Sequence, residues 1–236
     1  MLPYKVRGKY ESLIEALSKV GTDADCGEAT LPKPVASCFH SAADPSVVEF
    51  DCVFYLKSWR WKGVSKSERI NILVHAKEYI QRADQVLLKS TVCVNYFTGP
   101  ADAPILLQAF HYDFDPEPAD HPLFHMQVTN RCIALTAEAI ASLEVRLPAG
   151  DAQPVLRCAR VPTCDMTLAS VLLCLAADHV GGTIFIEFLK KICELQADLP
   201  QPAIELLRNN LGSPVRNVRS SHWFRPPPLL ATATPA

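Results

Sequence analysis

His111, Asp113 and His125 lie close together near the middle of the chain. Two imidazoles and one carboxylate can do chemistry in two ways. They can hold a divalent metal with positions left open for water, and the metal then activates that water for attack on phosphorus or carbon. Alternatively, the carboxylate orients an imidazole as a general base without metal. His121, between them in sequence, would join the metal set. The plainer reading is a polar strand end, with the histidines hydrogen-bonded to neighbours or facing solvent.

Two strands must position these groups. Over 105–115, Ile105, Leu107, Ala109, His111, Asp113 and Asp115 share one face, which turns from apolar to ionisable along its length. Over 123–130, Leu123, His125, Gln127 and Thr129 share a face. A hairpin centred near Pro118 sets His111 opposite His125 and Asp113 on the diagonal, at Cβ separations of about 5 Å and about 7–8 Å. A slip of one residue would disperse the group to opposite faces. The acidic run Asp113, Asp115, Glu117 and Asp120 lacks the glycine and the terminal glutamate of an EF-hand, and reads as a solvated loop.

Around this hairpin the patterning predicts an α+β fold: an antiparallel meander sheet packed by a long helix, with a helical C-terminal half. Tyr10, Leu13, Ile14, Leu17 and Val20 predict a helix over 8–20, stopped at Gly21. Residues 21–46 read as a long loop. Residues 47–62 alternate as a strand, with Val48, Phe50, Cys52, Phe54 and Leu56 on one face. The parity switch to Trp59 and Trp61 calls for a bulge near Lys57 and Ser58. Ser65 to Glu68 fits a capping box, and Leu73, Ala76, Ile80, Ala83 and Leu87 follow at helical spacing, so 65–88 reads as the long helix. Strands are expected over 91–97, 105–114 and 123–130, with Gly99-Pro100 opening a turn. Helices are expected over 136–145, from Asp165 as N-cap to Gly181-Gly182, over 184–195 and over 202–211, with a strand over 155–161. The domain reading is one unit over 1–212 and a Pro-rich tail over 213–236.

The chain has 236 residues, 49% hydrophobic and 20% charged, enough apolar content for a full core. Its net charge of -2 offers no global attraction to nucleic acid or anionic membrane. No apolar run reaches the ~18 residues of a membrane span, and Met1 to Lys9 lacks the apolar region of a secretory signal. Nine scattered cysteines with no CxxC pair read as a reduced, buried set in a reducing compartment. Cys158 and Cys164 are six apart, a weak metal pair without a second one. The location that follows is cytoplasmic.

The tail sets Arg208, Arg216, Arg219 and Arg225 beside His222, Trp223 and Phe224. Arg216, Arg219, Trp223, Phe224 and Arg225 suit docking to another protein or, less directly, to single-stranded nucleic acid; packing of the tail on its own domain is the plainer alternative. Arg216 and His222 match the Arg-x(4–6)-His spacing of HEPN-type ribonucleases, but the flanking prolines are a poor helical context, and the match is read as chance. Asp178-His179 ends a helix, where the dipole favours histidine. The chain has no P-loop, dinucleotide fingerprint, HExxH or Gly-x-Ser-x-Gly elbow.

The segment His111-Tyr112-Asp113-Phe114, then His121-Pro122-Leu123-Phe124-His125-Met126-Gln127, with Arg160-Val161-Pro162-Thr163, Met166 and Ala177-Asp178-His179 further on, resembles a family of uncharacterised bacterial proteins of unknown function. The resemblance implies a bacterial, cytosolic origin and brings no activity with it. Three functional expectations stand: a non-catalytic interaction or regulatory subunit of a bacterial complex; a metal-dependent, nuclease-like hydrolase centred on His111, Asp113 and His125 with a divalent metal as cofactor; and an RNA-binding protein using histidine as acid and base without metal.

Overall fold

A computed structural model describes residues 4–25, 27–59, 69–99, 103–116, 124–129, 166–196 and 198–202. Helix α1 spans Tyr4–Asp23. It is followed by β1 (Glu28–Thr30), a 3-10 turn (Val35–Cys38), β2 (Phe39–Ser41), β3 (Val47–Trp59), β4 (Ile70–Gln81), β5 (Leu87–Thr98), β6 (Ile105–Phe114) and β7 (Phe124–Thr129), then α2 (Leu168–His179) and α3 (Gly182–Gln196). Strands β3 to β7 form an antiparallel meander, and β1 and β2 both pair with the outer edge of β3. The fold is α+β, as the patterning predicts.

Alternation decides which face each strand buries. Val48, Phe50, Cys52, Phe54 and Leu56 of β3 are all buried, in one cluster with Ile72, Val74, Ala76 and Ile80 of β4 and with Val92, Val94, Phe110, Tyr112 and Phe114 of β5 and β6. Onto this face pack Tyr10, Leu13, Ile14 and Leu17 of α1, Leu168, Leu172 and Leu175 of α2, and Phe188 and Ile192 of α3. Each such side chain, fully buried, contributes about 1.5–3 kcal/mol. The bulge falls where expected: the β3–β4 register shifts between Leu56 and Trp59, and Ser58 takes a φ of 58°.

Four expectations are corrected. Residues 70–88 are not helical: β4 and β5 form a hairpin, and the capping box at 65–68 lies outside the described residues. The apolar set at helical spacing straddles two strands. The true core face of β4 is Ile70, Ile72, Val74, Ala76, Glu78 and Ile80, in which a single buried glutamate breaks the pattern. Residues 21–46 are not one loop but carry β1, the 3-10 turn and β2. Helix α1 runs past Gly21 to Asp23; Gly21 is there for close approach, since a Cβ would meet the Gly27 carbonyl at 2.7 Å and the Trp59 ring at 2.8 Å. The N-cap of α2 is Thr167, whose side chain accepts from Ser170 N, in place of Asp165. The helix over 136–145, the strand over 155–161, the tail over 213–236 and all of the expected 202–211 helix but Pro202, which bridges Leu87, lie outside the described residues.

Glu78 ties α1 and α2 to the sheet. Its carboxylate accepts from the Tyr10 hydroxyl of α1, from Ser90 Oγ of β5 at 3.0 Å, and from Leu168 N at the start of α2 at 2.8 Å. A helix N-terminus presents unsatisfied N–H groups and partial positive charge, so a buried carboxylate is well placed there. Burial, followed by the Glu78 charge, pushes the Tyr10 phenol well above its usual range, so it remains a donor.

Candidate acid–base site

The face of the sheet turned away from the three described helices is polar in its central rows. β6 gives it His111 and Asp113, two residues apart on one strand and so on one side. β7 returns antiparallel with Asp113 opposite His125 and His111 opposite Gln127. This corrects the register centred on Pro118, which set His111 opposite His125. The offset is two residues, which preserves side-chain parity, so the three groups stay together.

Asp113 bridges the two imidazoles. His111 Nε2 lies 2.9 Å from Oδ1, and His125 Nε2 lies 3.1 Å from Oδ2. Nε2 of His111 makes no aligned hydrogen bond, so the strand holds the two groups close without one. Thr91, opposite Asp113 on β5, donates its hydroxyl to Oδ1 at 2.7 Å. The ring centroids of His111 and His125 are 6.1 Å apart. The side chain of Asp113 is only 10% exposed, against 28% for His111 and 17% for His125, so the acid lies beneath two partly exposed rings, with His125 Nδ1 itself buried. Burial is the largest influence on Asp113 and raises its pKa, but His111, Thr91 and the charges of both imidazoles together outweigh it and hold the carboxyl below its usual value. The acid therefore stays ionised.

A second pair lies two strands away. His75 Nε2 on β4 is 2.8 Å from Asp51 Oδ1 on β3, and the hydrogen bond from His75 leads the influences that lower the Asp51 carboxyl. Lys77 binds Glu49 at 2.6 Å and lies 3.9 Å from Asp51. Cross-strand pairing runs His75 to Cys93 to His111, so the two pairs belong to one polar band. Sequence reasoning missed His75, and with it the partner of Asp51, because it made 65–88 a helix; Thr91 lay on a predicted strand, but its register against Asp113 was not legible. Read as a strand, β4 would have put His75 and Lys77 on one face.

His121 and the tail residues Arg216, Arg219, Trp223, Phe224 and Arg225 lie outside the described residues. Among the described residues, no three His, Cys, Asp or Glu side chains are grouped to hold a metal ion, and no helix is long and apolar enough to cross a membrane. His179 ends α2, as expected, with its ring against Trp59 and Tyr96. Cys38, Cys52 and Cys93 are buried free thiols as expected, while Cys193 is exposed. Comparison with protein-family models, curated proteins and solved structures gave no match.

Proposed function

We propose that the chain cleaves phosphodiester bonds of single-stranded RNA, with His111 and His125 as a metal-independent acid–base pair and Asp113 as the residue that positions them. The observation that supports this reading is one buried carboxylate meeting an imidazole Nε2 at each of its oxygens. In-line displacement at phosphorus puts the attacking and leaving oxygens on opposite sides. One imidazole takes the proton of the ribose 2′-hydroxyl as that oxygen attacks phosphorus. The other gives a proton to the departing 5′-oxygen, leaving a 2′,3′-cyclic phosphate. The 6.1 Å between the ring centroids suits two groups flanking one phosphate. Asp113 stabilises whichever imidazole is cationic. Because RNA carries its own nucleophile, the scheme needs no bound metal; the metal-dependent version draws no support from the described residues.

The test is cleavage of an end-labelled single-stranded RNA in excess chelator. The expected products end in cyclic phosphate, and His111→Ala and His125→Ala should each slow cleavage by about 10²–10⁴-fold. Cleavage no faster than buffer, or as fast in both variants as in the parent, would overturn the proposal.

The reading as a non-catalytic interaction subunit is favoured by a different feature. A groove of about 380 Å³ between α1 and α3 has an apolar floor of Ala16, Val20, Ile184 and Phe188 and a charged rim that includes Lys19 and Glu187, and Ile186 of α3 is 49% exposed. Under that reading, Ile184→Asp in the groove would abolish co-purification of a partner protein while leaving RNA cleavage absent throughout; a partner retained by this variant would count against it.

A further inference from the structure

The two sides of Asp113 are not alike. On one side, β7 supplies His125 directly opposite. On the other, β5 supplies Thr91 directly opposite, with Cys93 facing His111 two residues on. The Thr91 hydroxyl donates to Oδ1 at 2.7 Å, the short distance of an O–H bond to an ionised oxygen. Nε2 of His111 lies 2.9 Å from the same oxygen without an aligned bond. The torsion that turns a carboxylate about its Cβ–Cγ bond is broad, so nearby imidazoles do not by themselves fix its plane. The hydroxyl can. Threonine is β-branched and restricted at χ1, and its single proton is committed to one oxygen. With Oδ1 held, Oδ2 faces His125 at 3.1 Å.

Threonine also orients the acid without neutralising it. Lys77, opposite Thr91 on β4, is bound to Glu49. Lys89, two residues before Thr91 on β5, is bound to Asp115. Both lysines beside Thr91 therefore answer to other carboxylates. A lysine against Asp113 would cancel the charge that has to stabilise an imidazolium, whereas a hydroxyl leaves that charge in place.

We infer that Thr91 is a positioning residue of the acid–base site, its hydroxyl fixing the plane of the Asp113 carboxylate so that each oxygen meets one imidazole, a role that rests on the reading of His111 and His125 as an RNA-cleaving pair. Thr91 acts through Asp113. Its effect on cleavage is the effect of a carboxylate turned away from the rings it serves.

The experiment compares the full chain with Thr91→Val and Thr91→Ser. Valine keeps the branched shape and suits a strand, so the fold survives loss of the hydroxyl. Serine keeps the hydroxyl. Two readouts are taken: titration of the Asp113 carboxyl carbon by NMR, and cleavage of single-stranded RNA in chelator at neutral pH. The Thr91 bond is one of the influences that hold this carboxyl down, so in Thr91→Val it should titrate at higher pH than in the parent, and in Thr91→Ser as in the parent. In Thr91→Val kcat should fall by about 10–10²-fold with KM little changed, and in Thr91→Ser it should return to within about threefold of the parent. An Asp113 titration unmoved in Thr91→Val overturns the inference. So does a Thr91→Ser that titrates like Thr91→Val, or an undiminished kcat in Thr91→Val. A parent that does not cleave RNA sinks the functional reading instead, and the titration then decides the role of Thr91 by itself.

Discussion

Asp113 works through its position beneath two bases. Its carboxyl is held below its usual value, so it contributes stability that is complete above the unfolded pKa, ~3.9. That contribution is lost as pH falls through the folded value. Asp51 behaves the same way, through its bond with His75. Asp113→Asn removes the charge and should cost about 1–3 kcal/mol at neutral pH. Denaturant unfolding over a descending pH series from 7 checks this: the gap between parent and variant should narrow as pH falls below the unfolded value toward the folded one. A gap that widens on acidification would mean the aspartate is not held ionised by its neighbours. The triad itself was legible in the sequence because it needs only parity: His111, Asp113 and His125 share a face under any register offset by an even number. The register was not legible, since it depends on a turn whose residues carry no glycine to mark its type.

At the scale of elements, β4 teaches most. Its Ile70, Ile72, Val74 and Ile80 are β-branched, the composition of a strand. Glu78 on the core face concealed the alternation, and the turn to β5, Arg82-Ala83-Asp84-Gln85-Val86, contains no glycine, asparagine or proline. The left-handed position is taken by Gln85, with a φ of 61°, and Asp84 Oδ1 accepts from Val86 N at 3.2 Å. Asp84 is the lone turn-forming residue in the segment, a weaker signal than the helical spacing around it. β1 and β2, each three residues long, were illegible for another reason: too short for a period, they exist because the edge of β3 offers them partners. Glu78 also sets a test. Glu78→Ala leaves the Tyr10 hydroxyl and Leu168 N–H without their buried acceptor, while Ser90 keeps the Met166 carbonyl, and should cost about 3–5 kcal/mol. Glu78→Gln, which keeps an acceptor oxygen, should cost less than half as much in the same unfolding experiment. Equal losses would show that the charge of the carboxylate, which Gln lacks at the same volume, and not an acceptor oxygen alone, matters there.

Over the whole molecule, the sheet divides labour. One face carries the helices and the core, and the other carries the ionisable band. Variants of His111 and His125 should therefore leave the melting temperature within a few degrees of the parent, unlike those of Glu78. The two ends of the described fold meet beside the core: Lys5 and Lys9 of α1 pair with Asp198 at 2.6 and 2.7 Å, and Leu87 N donates to the Gln201 carbonyl at 2.9 Å. The bonds from Lys5 and Lys9 bring the Asp198 carboxyl down to about 2, yet the group is solvent-screened. Asp198→Asn should shift the melting temperature by less than about 2 °C at physiological salt. A larger shift that persists in high salt would mark the contact as a true closure of the fold.

The acid–base account is tested most directly by a double-mutant comparison of RNA cleavage in chelator. Parent, His111→Ala, His125→Ala and the double variant are assayed across a pH series. Residues that act as one unit are strongly non-additive. The double variant should be no slower than the worse single one, and the parent's bell-shaped pH profile should lose one limb in each single variant. Independent, multiplying losses with an unchanged profile, or a parent no faster than buffer, would contradict the claim that Asp113 joins two histidines into one catalyst.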